Sequence, residues 1–440
     1  MTYREAVEYL DSFINYERMT DWEYPEAFKL DRMRSLVKEL GNPQNAYESA
    51  IIAGSKGKGS TAAILSSILR MENWRVGLYT SPHLVDIRER IQVNGLPINE
   101  IRFAEHVLHL KEILDVPSWK KNPPTYFEIL TAMAFAYFKE MKAQAVVLEV
   151  GLGGLFDSTN IAPSRVVGLT PISLEHTDKL GRTPAKIAVQ KCGVIKGREL
   201  VVSGAQEPEV DDVIRRAAAE KDAELIRVGR EIRIFEREFG ENFQRFDART
   251  PFGNYFNLEI GLLGVHQIEN AACAIGLAKA FEKKCRMKVS DSAVRQGVLD
   301  ARWPGRLEKI EDCPRVILDG AQNPASAKRL AAALKRHFSY ERLVLVLGVS
   351  ADKDLEGILT ELLPECSCVI AAQAENPRAL PARELAEAVR HRDSSREVMV
   401  CERAPEALEK AKSLACPGDL ILVTGSLFLV GDVKKHAEAV

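Results

Sequence analysis

The stretch Ile51-Ile52-Ala53-Gly54-Ser55-Lys56-Gly57-Lys58-Gly59-Ser60-Thr61 decides how this chain is read. A short apolar run enters a glycine-rich turn, and Ala62-Ala63-Ile64-Leu65 opens a helical pattern directly after it. Strand, turn and helix start in that order gather backbone N–H groups around an anion, with the helix dipole behind them. Gly54, Gly57 and Gly59 let the backbone come close because no Cβ intervenes. Lys58 is placed to reach the terminal phosphates of a nucleotide, and the Ser60 or Thr61 hydroxyl to meet Mg²⁺. Gly59 separates Lys58 from Ser60, a departure from the usual phosphate-loop spacing. A glycine-rich turn alone would be only a turn. The lysine, two hydroxyls and flanking context point to a nucleoside triphosphate.

At 440 residues the chain has room for two or three domains. Its 46% hydrophobic and 28% charged content is that of a soluble globular protein. A net charge of −2 gives no electrostatic case for nucleic acid or an anionic membrane. No apolar run approaches the roughly 20 residues of a membrane span. The start, Met1-Thr2-Tyr3-Arg4-Glu5-Ala6, is polar and amphipathic, unlike a signal peptide. None of the eight cysteines forms a C-x-x-C pair, which argues against a zinc site and suits reduced core residues of a cytosolic protein.

Along the chain, a first helix is followed by an aromatic, acidic stretch, and Asp21 to Phe28 reads either as a connecting loop or as a flap over a substrate. Met33, Leu36, Val37 and Leu40 repeat at helical spacing, a packing face. Arg75 to Tyr79 forms a strand, Asn94-Gly95 signals a hairpin, and Asn99 caps a helix. Pro117 to Pro124 reads as a loop, and Thr125-Tyr126-Phe127-Glu128 opens the next helix.

Ala145 to Val150 is a continuous apolar run with Glu149 near its carboxyl end, as in buried parallel strands whose ligands bind beyond those ends. Buried there, Glu149 must pair with a cation or hold a metal. The next strand, Val166 to Thr170, leads to Glu175-His176-Thr177-Asp178, and a helix through Ile187 carries Lys191. From about Leu225 to Leu263 the pattern becomes β-rich, an antiparallel excursion off the parallel sheet. Trp303-Pro304-Gly305-Arg306 marks a domain junction. Beyond it strands recur at Val316 to Leu318, Leu343 to Leu347, Val369-Ile370, Val398 to Val400 and Leu420 to Val423, alternating with helices. The expected fold is α/β: a P-loop-type ATPase domain with a mostly parallel sheet over 1–300, and a smaller Rossmann-like α/β domain over 301–440.

Ser60, Ser81, His83, Glu149, His176 and Asp319 all fall at carboxyl ends of expected strands. A lone histidine such as His176 is more often a satisfied loop residue, but one following a strand beside a phosphate loop suits ATP–Mg²⁺ chemistry. Neither H-R-D-x-x-x-x-N nor D-F-G occurs, which sets the chain apart from protein kinases. The residues themselves lead as far as ATP-dependent phosphoryl transfer between two domains.

The chain also resembles the folylpolyglutamate synthase/dihydrofolate synthase family of the Mur ligase superfamily. The resembling segments are Gly54 to Thr61, Ser81 to Leu84 with Arg88 to Ile91, Thr125 to Glu128, Glu149 to Asn160, His176 to Asp178 and Gln190 to Gly193. They continue through His266 to Asn270, Trp303 to Arg306, Leu318 to Pro324, Asp352 to Asp354 and Gly425 to Leu427. The resemblance implies that Gly54, Gly57, Lys58, Gly59, Ser60 and Thr61 bind ATP phosphates, with Asn270, Arg306 and Asp319 completing the ATP contacts. It implies Mg²⁺ ligation by Ser60, Ser81, Glu149 and His176, and carbamylation of Lys191 to help hold a second metal. Lys58, His176 and Lys191 would act in catalysis, and Pro82, His83, Thr125, Tyr126 and Phe127 would meet the pterin-bearing substrate.

The implied reaction adds L-glutamate to dihydropteroate or a reduced folate through an acyl phosphate, in a cytoplasmic monomer. Gln322, where the family usually has histidine, Leu155, where it often has arginine, and Ser55-Lys56 depart from the pattern and leave substrate preference open. Two other readings remain: a Mur-type ligase with a non-folate substrate, for whose extra amino-terminal domain residue 54 leaves little room, and a non-catalytic ATP-binding regulator. Retention of Lys58, Glu149, His176, Lys191 and Asp319 together speaks against the regulator.

Overall fold

A computed structural model describes residues 1–19 and 30–439, so the Asp21 to Phe28 flap lies outside the described residues. The largest sheet has eight strands: β1 (Glu48–Ala53), β2 (Val76–Tyr79), β3 (Ile91–Val93), β4 (Leu96–Pro97), β5 (Ala145–Glu149), β6 (Val166–Leu169), β7 (Leu200–Ser203) and β8 (Glu224–Arg227). Their order is β4-β3-β2-β5-β1-β6-β7-β8. From β2 to β8 neighbouring strands run parallel, while β3 and β4 turn back antiparallel around Asn94-Gly95.

The apolar runs are continuous because both faces of this sheet are covered. Successive side chains point to opposite faces. Ile51, Val146, Leu148 and Val167 thus join one core with Tyr126–Glu140 and other helices, while Ile52, Val147, Val166 and Val202 join a second core. The second core is closed by the helices Lys58–Arg70, Val265–Cys285 and Asp291–Leu299. Small residues draw Val265–Cys285 onto the sheet: a Cβ at Gly276 would stand 2.9 Å from Val202 Cγ1.

A three-stranded antiparallel sheet of β9 (Arg233–Phe239), β10 (Gln244–Thr250) and β11 (Gly253–Ile260) follows. The expected excursion is therefore real but starts later, because β8 is still a parallel member of the main sheet. The third sheet contains β12 (Glu308–Asp312), β13 (Arg315–Leu318), β14 (Leu343–Leu347), β15 (Cys368–Ala372), β16 (Glu397–Cys401) and β17 (Leu420–Thr424). Its order is β12-β13-β17-β14-β15-β16. The strands expected in this half are all present; β12, charged and only half-buried, is an antiparallel edge that an apolar pattern does not reveal. Pro117–Lys121, expected as loop, is a short helix begun by proline in its first turn. All eight cysteines are free thiols; Cys313 and Cys416 are exposed rather than core residues. Among the described residues no helix is long and apolar enough to cross a membrane.

The antiparallel sheet is clamped to the helix Pro324–His337 of the second half. Arg336 lies 3.6 Å over the Phe239 ring and pairs with Glu236 at 2.8 Å. His337 Nε2 accepts from the Gly264 N–H at 3.2 Å, and Nδ1 meets the Gly240 carbonyl at 2.8 Å, so the neutral ring carries its proton on Nδ1.

Burial holds His337, and likewise His83, His106 and His266, below the ordinary histidine value. The unfolded chain therefore takes up protons near pH ~6.5 before the folded chain does, so this stability is complete above that pH and lost as the pH falls toward the folded values. The calorimetric unfolding temperature should drop by several degrees between pH ~7 and ~5, with His337→Gln showing a shallower dependence.

Candidate active site

Four neighbouring parallel strands, β2, β5, β1 and β6, end on one rim of the sheet, where such folds bind ligands. Thr80-Ser81 follows β2, Glu149 ends β5, the phosphate loop follows β1, and the segment to His176 follows β6. Gly57 caps the helix Lys58–Arg70 at φ 82°, a left-handed conformation suited to glycine. The Ser55 and Lys56 N–H groups donate to the Pro171 carbonyl at 3.0 and 3.1 Å, tying the loop to the segment after β6.

Lysines crowd this rim. Lys58 Nζ donates to the Gly54 carbonyl at 3.1 Å, and Lys191 Nζ donates to the same carbonyl and to Glu175 Oε1, both at 2.7 Å. Lys56 Nζ stands 4.0 Å from Glu175 Oε2. Burial pushes the Lys191 and Lys56 amines down to about 8, against the pull of Glu175. Burial alone would raise the Glu175 carboxyl, but Lys191, Lys58 and Lys56 hold it at about 2. Three lysines around one carboxylate leave the rim cationic, as a polyphosphate site requires. His176 has φ 45° at the start of the helix Thr177–Leu180, and burial takes its ring down to about 4.

Glu149 is buried, and among the described residues its one hydrogen bond is from the Ser81 N–H to Oε2 at 3.1 Å. Desolvation pushes its carboxyl up to about 7, opposed by Lys58. Among the described residues no three His, Cys, Asp or Glu side chains gather to hold a metal by themselves. An underpaired carboxylate beside serine hydroxyls and a phosphate loop nevertheless fits Mg²⁺, which commonly takes one or two carboxylates plus phosphate oxygens and water. The buried Thr61 Oγ1, in the first turn of the helix Lys58–Arg70, has no hydrogen-bond partner among the described residues.

A cleft lined by Gly59, Ser81, His83, Glu149, Trp303 and Arg306 joins these groups, Pro82 also lining it. A Cβ at Gly59 would come within 2.7 Å of the Trp303 ring. Asp319 accepts from the Leu307 and Ala321 N–H groups at 3.0 and 2.9 Å, fixing the chain next to Arg306; burial raises its carboxyl and Arg306 opposes the rise. Asn270 lies against Gly57, its Nδ2 donating to Gln267 Oε1 at 2.9 Å.

Three expected substrate contacts have structural roles of their own. Thr125 caps the helix Tyr126–Glu140 in a reciprocal box with Glu128, Tyr126 is buried, and Phe127 packs 5.9 Å from Tyr79. Glu175, given no role from sequence, pairs with Lys191; its position after a strand end is the same signal that marked Glu149. Of the departures, Lys56 belongs to the cationic rim, the Gln322 N–H donates to Ser326 Oγ at 3.1 Å, and Leu155 is half-exposed.

Two families match the chain: the Mur ligase middle domain over residues 52–278 and the Mur ligase, glutamate ligase domain over residues 305–427. These domains and this fold are those of a Mur ligase, an ATP-dependent ligase. The chain is 34% identical over 411 residues to the dihydrofolate synthase/folylpolyglutamate synthase of Bacillus subtilis, covering 92% of this chain and 94% of that one. The structure of Mycobacterium tuberculosis folylpolyglutamate synthase complexed with ADP matches with a TM-score of 0.90 at 32% identity, covering 99% of this chain and 98% of that one. E. coli FolC in complex with DHPP and ADP matches with a TM-score of 0.86 at 30% identity, over 100% and 98% of the two chains. The chain belongs to the dihydrofolate synthase/folylpolyglutamate synthase family.

Gly57→Ala forces a side chain into a left-handed position and against Asn270, at a cost of about 1–3 kcal/mol in the loop. ATP affinity measured by calorimetry should fall by roughly tenfold or more.

Proposed function

We propose that this ligase adds L-glutamate to dihydropteroate, to a reduced folate, or to both, releasing ADP and phosphate. The observation that carries the reading is the meeting in one cleft of the phosphate-loop Gly59, the buried Glu149 and Arg306 from beyond the last helix of the first half. The names of the relatives, and the DHPP and ADP bound to the E. coli protein, support the acceptor class. The boundary between the two domains is taken at 300/301, just after the helix Asp291–Leu299. The chain's free cysteines suit a cytoplasmic enzyme, and we place it there as a monomer.

In the first step an acceptor carboxylate oxygen attacks the γ-phosphorus of ATP, and ADP leaves. The glutamate amine then attacks the acyl carbon; phosphate leaves and the nitrogen gives up a proton. Lys58 and Arg306 offset the charge developing on the transferred group, and phosphate-loop N–H groups orient it. Ser60, Ser81, Glu149 and His176 would hold Mg²⁺, which supplies further charge neutralisation at the γ-phosphate when bound. Closure of the cleft excludes water that would hydrolyse the acyl phosphate. Pro82 and His83, which line the cleft, with Thr125, Tyr126 and Phe127 would meet the acceptor, and Asn270 and Asp319 would support the nucleotide.

Lys191 is suited to carbamylation because burial brings its amine to about 8, leaving a neutral fraction at physiological pH. Carbon dioxide adds to that amine with loss of one proton, giving a carboxylate beside Glu175. Turnover should fall in bicarbonate-depleted buffer and recover on adding bicarbonate, while Lys191→Ala stays low in both.

ADP release with Mg²⁺, ATP and L-glutamate tests the whole reading, with dihydropteroate and tetrahydrofolate compared as acceptors. Turnover with either supports it; silence with both, in protein that binds ATP, overturns the folate assignment. Lys58→Ala should lower kcat at least about a hundredfold, the scale of losing a preorganised charge contact.

A further inference from the structure

Arg90 is a fully buried arginine next to the cleft residue His83. Its Nη1 and Nη2 donate to Glu17 Oε1 and Oε2 at 2.8 and 2.6 Å, and its guanidinium lies 5.7 Å from the Tyr126 ring centroid. The remaining donor, Nε, is directed at His83 Nδ1 at 2.9 Å. Glu17 is held in turn from the other half of the molecule, since Arg378 Nη1 donates to its carbonyl at 3.0 Å while Nη2 pairs with Asp352 at 2.7 Å.

A guanidinium has no acceptor, so the His83 nitrogen facing it must accept. The neutral ring then carries its proton on the other nitrogen, Nε2, which has no partner among the described residues. His83 lines the cleft with Ser81 and Glu149. Resting on the ligase reading above, we propose that Arg90 is a positioning residue, clasped by Glu17 and Arg378, that locks His83 as an Nε2–H donor to the acceptor carboxylate oxygen that becomes phosphorylated. The clasp crosses between the two halves, so the donor is held in place when they are together.

Two substitutions at His83 separate the nitrogens: the amide N–H of His83→Gln reaches the Nε2 position, and that of His83→Asn reaches only the Nδ1 position. Acceptor kcat/KM should be roughly ten- to a hundredfold higher in His83→Gln than in His83→Asn, the scale of an unmade buried hydrogen bond. Arg90→Met, which keeps the length but carries no donor, should show the same acceptor loss. In long-range ¹H–¹⁵N spectra the His83 ring should be a single Nε2–H tautomer in the wild type and a mixture in Arg90→Met. Equal kinetics for the two His83 variants, or an unchanged tautomer in Arg90→Met, overturns the proposal; if Arg90→Met does not fold, the His83 pair decides. Wild-type protein that turns over neither acceptor fails the ligase reading instead. The wild-type tautomer spectrum then still decides the Arg90 role: a lone Nε2–H form upholds it and a mixture overturns it.

Discussion

Everything at the cleft depends on four parallel strands ending at the same level. The pairings of β2 with β5, β5 with β1 and β1 with β6 are regular, so Ser81, Glu149, the phosphate loop and the His176 segment leave the sheet side by side. Parallel pairing of this kind needs both faces covered, and the two cores on either side supply that cover. A slip of one residue in β1 would exchange Ile51 and Ile52 between cores and turn the loop away from its neighbours. The same alternation that makes the hydrophobic core therefore aims the polar rim.

The rim carries charge that the fold alone does not balance. Three lysines face Glu175, and Glu149 sits apart with a single backbone donor. Burying unequal charge is costly unless something arrives to complete it. A nucleotide phosphate suits the lysines and a divalent cation suits Glu149. The protonation equilibria move accordingly: the amines drop, and the free carboxyl rises, each toward its neutral form. The site is arranged for ligands of both signs at once.

Much of this was legible in the residues. The apolar runs at 145–150 and 166–170 marked parallel strands, and the glycine pattern at 54–59 marked the loop. The strands of the second half followed from the same alternation with helices. What stayed hidden depends on distance across the chain. Glu17 and Arg90 are separated by 73 positions, and Arg378 and Glu17 by 361, so no spacing rule joins them. Thr125 shows the opposite difficulty: the helix cap explains it fully without a substrate. β12 escapes the sequence pattern because a half-buried, charged edge strand lacks the apolar period that reveals a fully buried one.

The stretch from Ala301 to Arg306 connects the two halves and also lines the cleft, with Trp303 against Gly59 and Arg306 beside Gly320. Connections between domains ordinarily tolerate insertions, because loop length changes chain entropy only slowly. That freedom is absent here. One added residue would move an aromatic ring and a guanidinium away from the phosphate loop, so the length of this tether is constrained by chemistry rather than by folding. This short segment has to stay in step with a glycine more than two hundred positions upstream.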